Sequence, residues 1–300
     1  MKVKVSVITP LYKGKQYIPK LMQMMINNAG KASMEYILVN DSPKEYLLNE
    51  QNLINEYGLS YRLQFKAINN PVNIGIQKSR AAGLAASEGE YICFLDQDDY
   101  LEDDAVYRLL SCIEKDDCDV LTANGYRRYL AQDGQCRRLM PLYKRKAALK
   151  AVCDEKMYLY GTDMIFSPGQ CLIKKAMIPD EWSEYTLEIN GCDDFLLWLM
   201  MFQKGCLFRT VWDKIYYHNE TGRNYSDSYE AMKKSFQNMC DILEKIEWYD
   251  SEKVQVLKRR YKLKSLLKSD ISLIKKLSYV LKNLDIIVYT ISYKLKGYYW

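Results

Sequence analysis

Two pairs of carboxylates in this chain have spacings that metal-assisted group transfer can use. Asp96 and Asp98, in the run Asp96-Gln97-Asp98-Asp99, follow directly on the apolar stretch Tyr91–Leu95. Two carboxylates two residues apart at a strand end can project into one crevice. Mg²⁺ or Mn²⁺ typically takes one or two protein carboxylates together with substrate phosphates and waters. A cation held there neutralises charge on a departing diphosphate. An acidic loop capping a helix that starts near Glu102 would look the same over these four residues. The second pair, Asp193-Asp194, precedes the apolar run Phe195–Phe202. An Asp in that place often caps a helix, but two adjacent acids cannot both be the cap. One is left for general-base work on a hydroxyl. His218 and Arg223 lie close together late in the chain. Arg223 suits a pyrophosphate, whereas His218 can be a phosphate or metal contact or a structural hydrogen bonder.

Positioning these groups falls to a chain that alternates strand and helix signals. Val3–Thr9, Glu35–Asn40, Leu63–Ala67 and Tyr91–Leu95 read as strands, while Gln16–Asn28, Tyr46–Tyr57 and Gln77–Ser87 carry helical spacing. This alternation predicts an α/β fold with a mostly parallel central sheet flanked by helices. In such sheets ligands sit beyond the carboxyl ends of the strands. The polar stretches after the four strands, 9–12, 40–42, 69–75 and 96–99, are therefore expected to meet at one edge. Farther on, the pattern predicts a strand over Asp119–Tyr126 and a charged loop over Arg127–Arg138. A short strand or loop follows at Trp182–Leu187, then a helix over Phe195–Gln203, a strand over Phe208–Tyr217 and a helix over Tyr229–Ile246.

Composition removes several classes of function. The nine cysteines are scattered singly with no Cys-x-x-Cys pair, so neither a disulfide framework nor a zinc knuckle is indicated. That usage points to a reducing compartment. A single histidine excludes His-rich metal sites, and no Gly-x-Ser-x-Gly elbow accompanies it. The first strand is not followed by Gly-x-Gly-x-x-Gly, which disfavours a dinucleotide dehydrogenase. A nucleotidyltransferase would want a Gly-rich phosphate loop early in the chain, and VITPLYKGKQ has one Gly. Tyr is abundant, 26 against 7 Phe, and suits polar ligands because the ring stacks while the hydroxyl stays wet. The overall charge of +5 hides an asymmetry. Residues 251–300 hold 12 Lys and Arg against 3 acids, a surplus of nine, which leaves the first 250 residues four charges negative. A mildly acidic body with a basic tail is not the pattern of a nucleic-acid binder.

Taken in order, these residues resemble family 2 glycosyltransferases. The resemblance is carried by Pro10 and Tyr12 after VSVI, Val39-Asn40-Asp41, Asn73-x-Gly75 with Ser79-Arg80 after it, Asp96-x-Asp98, and Asp193-Asp194, spread over roughly residues 3–226. It implies a GT-A nucleotide-diphospho-sugar transferase fold over residues 1–226, with a helical, basic extension over 227–300. The activity implied is inverting transfer of a hexose or N-acetylhexosamine from a nucleotide sugar, commonly a UDP sugar. The acceptor would be a hydroxyl of a growing glycan, free or lipid-linked, in capsule, O-antigen or related surface-glycan assembly. Tyr12 would then stack on the nucleobase, with Pro10 lining its pocket, Asp41 hydrogen-bonding the base, and Asn73 among the donor contacts. Arg80 would brace the nucleotide and the Asp-x-Asp loop, Asp96 would contact ribose or metal, and Asp98 would ligate Mn²⁺ or Mg²⁺. Asp194 would be the general base and Asp193 its partner. His218 and Arg223 fall in what resembles a late loop folding over the donor phosphates. Asp193 stands where Glu is commoner in the family, and Asn40 where a second Asp is frequent. A catalytically silent nucleotide- or glycan-binding partner is the rival reading, against which the intact Asp98 and Asp194 argue.

The tail adds an expectation about location. The N-terminus reads as a strand closed by Pro10 rather than a signal peptide, and no 18-residue uncharged apolar stretch occurs. Leu273, Ile274, Leu277, Val280, Leu281, Leu284, Ile287, Val288 and Ile291 fall at helical spacing, with Lys275, Lys276 and Lys282 off that stripe. A basic amphipathic segment over 270–300 suits an anionic membrane surface, so a cytoplasmic protein peripheral to the inner face of the plasma membrane is expected. A helix packed on the catalytic domain, its lysines in water, would give the same pattern.

Overall fold

The computed structural model describes residues 3–59, 63–131, 134–220 and 228–298. Strands β1 (Val5–Leu11) and β2 (Met34–Asn40) are buried along their whole length, as the uninterrupted apolar runs of central parallel strands require. β3 (Leu63–Asn69) is an edge strand, only partly covered in its second half. Helices α1 (Ile18–Asn28), α2 (Glu50–Tyr57) and α3 (Ile76–Ala86) link these strands, and β4 (Tyr91–Phe94) returns to the far side of β1. The order β3-β2-β1-β4, parallel throughout, therefore reverses direction at β1. In an open α/β sheet that reversal leaves a crevice at the carboxyl ends of the strands.

Two devices hold this half together. α3 packs closely on the sheet at Gly83, where a Cβ would lie 2.3 Å from Ile8 Cγ2. The close contact offsets the ~0.5–1 kcal/mol that glycine costs in a helix interior. Near the amino ends of the strands, the buried Glu35 carboxylate accepts from Ser6 Oγ at 2.6 Å and from the Gly89 N–H at 3.2 Å, and pairs with Lys66 at 2.9 Å. One side chain thus ties β1, β2 and β3 to the turn before β4.

The second half is mixed rather than parallel. Its elements are β5 (Tyr100–Leu101), α4 (Ala105–Asp116), β6 (Val120–Leu130), β7 (Cys136–Pro141), α5 (Lys146–Lys150), β8 (Cys171–Lys174), α6 (Asp180–Glu184), α7 (Asp193–Gln203) and β9 (Phe208–Glu220). β8 runs antiparallel between β4 and β6, β9 lies parallel to β6, and β5 closes the edge antiparallel to β9. The parallel arrangement expected from the sequence thus belongs to β1–β4. The charged loop expected over Arg127–Arg138 is instead the outer part of β6 and the start of β7. Those polar residues make strand because an ion pair spans it: Arg127 pairs with Glu220 of β9 at 3.2 Å. Trp182–Leu187, expected as strand or loop, begins in α6, with Trp182 fully buried.

Among the described residues the chain continues in the helices α8 (Tyr229–Lys245), α9 (Ser251–Lys268), α10 (Leu273–Leu281) and α11 (Leu284–Leu295). α8 buries Phe236, Met239 and Leu243. α9 reaches across to a π-helical turn, Met157–Gly161. Arg260 donates to the Tyr158 carbonyl there and Lys264 donates to that of Gly161 at 2.7 Å. All nine cysteines are free thiols. Among the described residues no helix is long and apolar enough to cross a membrane.

Candidate active site

The loops after β1, β2, β3 and β4 meet at one edge, joined by their own polar groups. Asp41 N–H donates to the Leu11 carbonyl at 2.8 Å and Asn70 N–H to that of Asn40 at 2.9 Å. The Asp41 carboxylate accepts from Asn70 Nδ2 at 2.8 Å and from the N–H groups of Ile74 at 2.8 Å and Gly75 at 2.9 Å. Two successive amides can aim at one carboxylate because Gly75 has φ +90°, where a side chain is strained. Asp41, expected to bond a nucleobase, thus spends three hydrogen bonds on the shape of the 70–75 loop. Asn73 sits exposed on that loop. Pro10 is buried within β1 opposite Val39. Tyr12 is 50% exposed at the mouth. Its backbone is clamped by Gln97, which accepts from Tyr12 N–H at 3.0 Å and donates to the Tyr12 carbonyl at 3.1 Å. Nothing in the sequence marked Gln97 for that task.

The four residues after β4 divide their work. Asp99 is buried and committed to the scaffold: Tyr216 Oη donates to it, as does Asn219 N–H at 3.1 Å, and Ser167 Oγ lies at 3.4 Å. Asn219 Nδ2 donates to the Asp98 carbonyl. These contacts pin the loop to β9, with Asp98 half-buried beside Asp96 and Asp99. Burial, with the charges of Asp99 and Asp96 beside it, pushes the Asp98 carboxyl up to about 7. Such an excess of negative charge fits a divalent cation. Among the described residues no three acids, Cys or His form a ready cage. One or two carboxylates completed by substrate phosphates is the usual Mg²⁺ arrangement.

His218 lies within β9 rather than in a loop. Its Nδ1 is 3.4 Å from Asp99 and its Nε2 3.8 Å from Glu220. Burial opposes charge on the ring, but Asp99 and Glu220 outweigh it and push the imidazole up to about 9. Protonated, the ring donates from both nitrogens and suits an anion rather than a metal. Arg223 lies outside the described residues. Two cations the sequence did not single out stand nearby on tyrosine rings: Lys20 over Tyr100 at 5.4 Å and Arg128 over Tyr217 at 5.8 Å.

One guanidinium joins the two carboxylate pairs. Arg80, 3% exposed, gives Nη2 to Asp96 and Nη1 to Asp193 at 2.6 Å. Asp96 lies also 3.2 Å from Ser167 Oγ. Cys192 is the N-cap of α7, so neither acid caps the helix; both occupy its first turn, where negative charge is favoured. Asp193 is buried against Arg80. Asp194 is half-buried, and its Oδ1 accepts from Phe195 N–H at 2.7 Å. Burial first, then the charges of Asp163 and Asp193, push its carboxyl well above the usual range against the pull of Arg80. Asp163, unnoticed in the sequence, follows the π-helical turn that α9 braces. Burial pushes it up to about 7, opposed by the Ile165 N–H and Arg260.

The arrangement, an acidic loop joined through buried Arg80 to Asp193 and so to the neighbouring, high-pKa Asp194, can be compared with known proteins. The sequence model described as glycosyl transferase family 2 matches residues 6–173. A poly(ribitol-phosphate) beta-glucosyltransferase of Bacillus spizizenii is 22% identical over 261 residues, covering 85% of this chain and 39% of that protein. The poly(ribitol-phosphate) beta-N-acetylglucosaminyltransferase TarS of Staphylococcus aureus is 22% identical over 240 residues, 79% of this chain and 39% of that protein. The chain therefore spans about two fifths of the length of these curated relatives. The crystal structure of S. aureus TarS 1–349 in complex with UDP-GlcNAc superposes with a TM-score of 0.63 at 18% identity, covering 95% of this chain and 81% of that one.

Proposed function

The chain belongs to glycosyl transferase family 2 and has its GT-A fold, and from that premise we propose that it is an inverting, metal-dependent transferase. It moves a hexose or N-acetylhexosamine from a UDP sugar to a hydroxyl of a growing surface glycan, capsular or related, including a lipid-linked one. The reaction is placed in the cytoplasm at the inner face of the membrane, with catalysis in residues 1–226 and support from 227–300. The observation that carries the reading is the Arg80 bridge between Asp96 and Asp193, which brings the donor loop and the start of α7 to one crevice.

Within it Tyr12 faces the nucleobase and protonated His218, with Lys20 and Arg128, faces the diphosphate. Mg²⁺ or Mn²⁺ at Asp98, beside Asp96, supplies charge neutralisation for the leaving group when bound. Asp194 takes the proton of the acceptor hydroxyl as its oxygen bonds to the anomeric carbon from the face opposite the nucleotide. The bond from that carbon to UDP breaks in the same displacement, and the configuration inverts. Asp193 and Arg80 hold Asp194 against the donor loop.

The test is a panel of nucleotide sugars with Mn²⁺, reading nucleoside diphosphate release. Turnover of one UDP sugar is expected, reduced about 10²–10³-fold in Asp98→Ala. Absence of binding and turnover with every donor would favour a silent partner. A second outcome concerns pH. The base must be ionised, so kcat rises with pH through the raised titration of the Asp194–Asp163 pair. Asp163→Asn removes a like charge while its Oδ1 can still accept from Ile165 N–H. The acid limb of the kcat profile is expected to move to lower pH; an unmoved limb would show that Asp163 does not influence the base.

A further inference from the structure

α10 and α11 turn a continuous set of aliphatic side chains away from the body. On α10, Leu273 is 82% and Ile274 83% exposed, and Leu277 and Leu281 are more than half exposed. On α11 the exposed residues are Leu284, Val288, Ile291 and Leu295, successive positions of one helical face. The opposite face of α11 does the packing. Ile286 and Tyr293 are buried there, Tyr289 stacks on Tyr160 at 4.2 Å, and Asp285 pairs with Arg259 at 2.7 Å. The packing expected of the tail is thus made by one face of α11, and the other face is left open. α10 buries no residue at all. Its nine residues fall short of the roughly 12–15 that make even a favourable isolated helix marginal in water, so its apolar face calls for a cover.

Charge identifies the cover. Lys268, Lys275, Lys276, Lys282, Lys294 and Lys296 flank this face, against Asp270 and the already paired Asp285. The first 250 residues are net negative, so the basic character is local to this end of the chain. Lysine is depleted at protein–protein interfaces, whereas its long stem and hydrated head suit the phosphates above a hydrocarbon layer. We propose that α10 and α11 lie flat on an anionic bilayer, the aliphatic side chains at the acyl boundary and the lysines among the headgroups. The helices rest on the surface rather than cross it, consistent with their length. This deepens the transferase reading by giving the enzyme a surface on which a lipid-linked acceptor would be met, and it rests on that reading only for its purpose.

The test uses the full chain with vesicles of phosphatidylcholine alone or mixed with phosphatidylglycerol at low salt, read by co-sedimentation, with oligomeric state followed by light scattering. Binding to the mixed vesicles alone is expected. Ile274→Glu with Leu277→Glu is expected to weaken it at least tenfold. Lys275→Gln, Lys282→Gln and Lys294→Gln combined should weaken it about a hundredfold, from roughly 1 kcal/mol per lysine. Absence of binding to anionic vesicles overturns the proposal, as does a dimer that the glutamate variant dissociates, which would make a second copy the occupant. UDP release in solution by the same variants reports the transferase reading separately: it should be unchanged, since these residues lie outside the catalytic machinery. A chain that binds vesicles but releases no UDP would sink that reading and leave this one standing.

Discussion

Asp194→Asn is expected to lower kcat about 10²–10⁴-fold, the usual worth of a positioned general base. The amide has the carboxylate's shape, and its Oδ1 can keep the hydrogen bond from Phe195 N–H. It also removes a negative charge that interacts unfavourably with Asp163 and Asp193. The variant should therefore fold at least as well as the parent, which separates loss of chemistry from loss of structure. Donor affinity should stay within about twofold, because the donor loop is held by Arg80, Ser167, Gln97 and β9 rather than by Asp194. Thermal unfolding, UDP binding and single-turnover transfer on one preparation decide the matter. A kcat within tenfold of the parent would remove Asp194 from the role of base.

Arg80→Met is expected to damage stability and both halves of the site together. The guanidinium is buried and touches two carboxylates, so its loss leaves Asp96 and Asp193 uncompensated in a poorly solvated place. Breaking a buried pair in this way costs about 3–5 kcal/mol. For a domain of this size that is a fall in Tm on the order of 10 °C. Donor affinity and kcat should drop together, because the bridge sets Asp96 on one side and the first turn of α7 on the other. Arg80→Lys keeps the charge but has one ammonium where two separate nitrogens are needed, so it should recover part of the stability and less of the activity. If Arg80→Met unfolds at the parent's temperature, the bridge is not what joins the two loops.

The first four strands, their helices and the polar loops after them could be read from the chain, because buried parallel strands leave uninterrupted apolar runs such as VSVI and YICFL. Asp96, Asp98 and Asp194 were visible for a related reason: each stands directly beside such a run, where a carboxylate is conspicuous. Asp163 was not, since it follows an irregular segment whose π-helical turn is held by Arg260 and Lys264 from α9. Ser167, Tyr216 and Asn219 reach Asp99 over sequence separations of 68 to 120 residues, which no local pattern records. The outer half of β6 looked like a loop because its stabilising partners are charges on β9.

Sequence alone therefore determined the half of the sheet built from continuous apolar runs, the edge at which its loops meet, and which acids stand at that edge. Tertiary structure decided which acids are tied to the scaffold. Asp99, Asp193 and Asp41 are spent on tertiary partners (hydroxyls, a guanidinium and the amides of another loop), whereas the hydrogen bond of Asp194 is local, to Phe195 N–H, and only long-range packing brings those tertiary donors within reach. It also decided that the C-terminal stripe faces outward, because the inward face of α11 is set by contacts with Tyr160 and Arg259, side chains that helical periodicity cannot see.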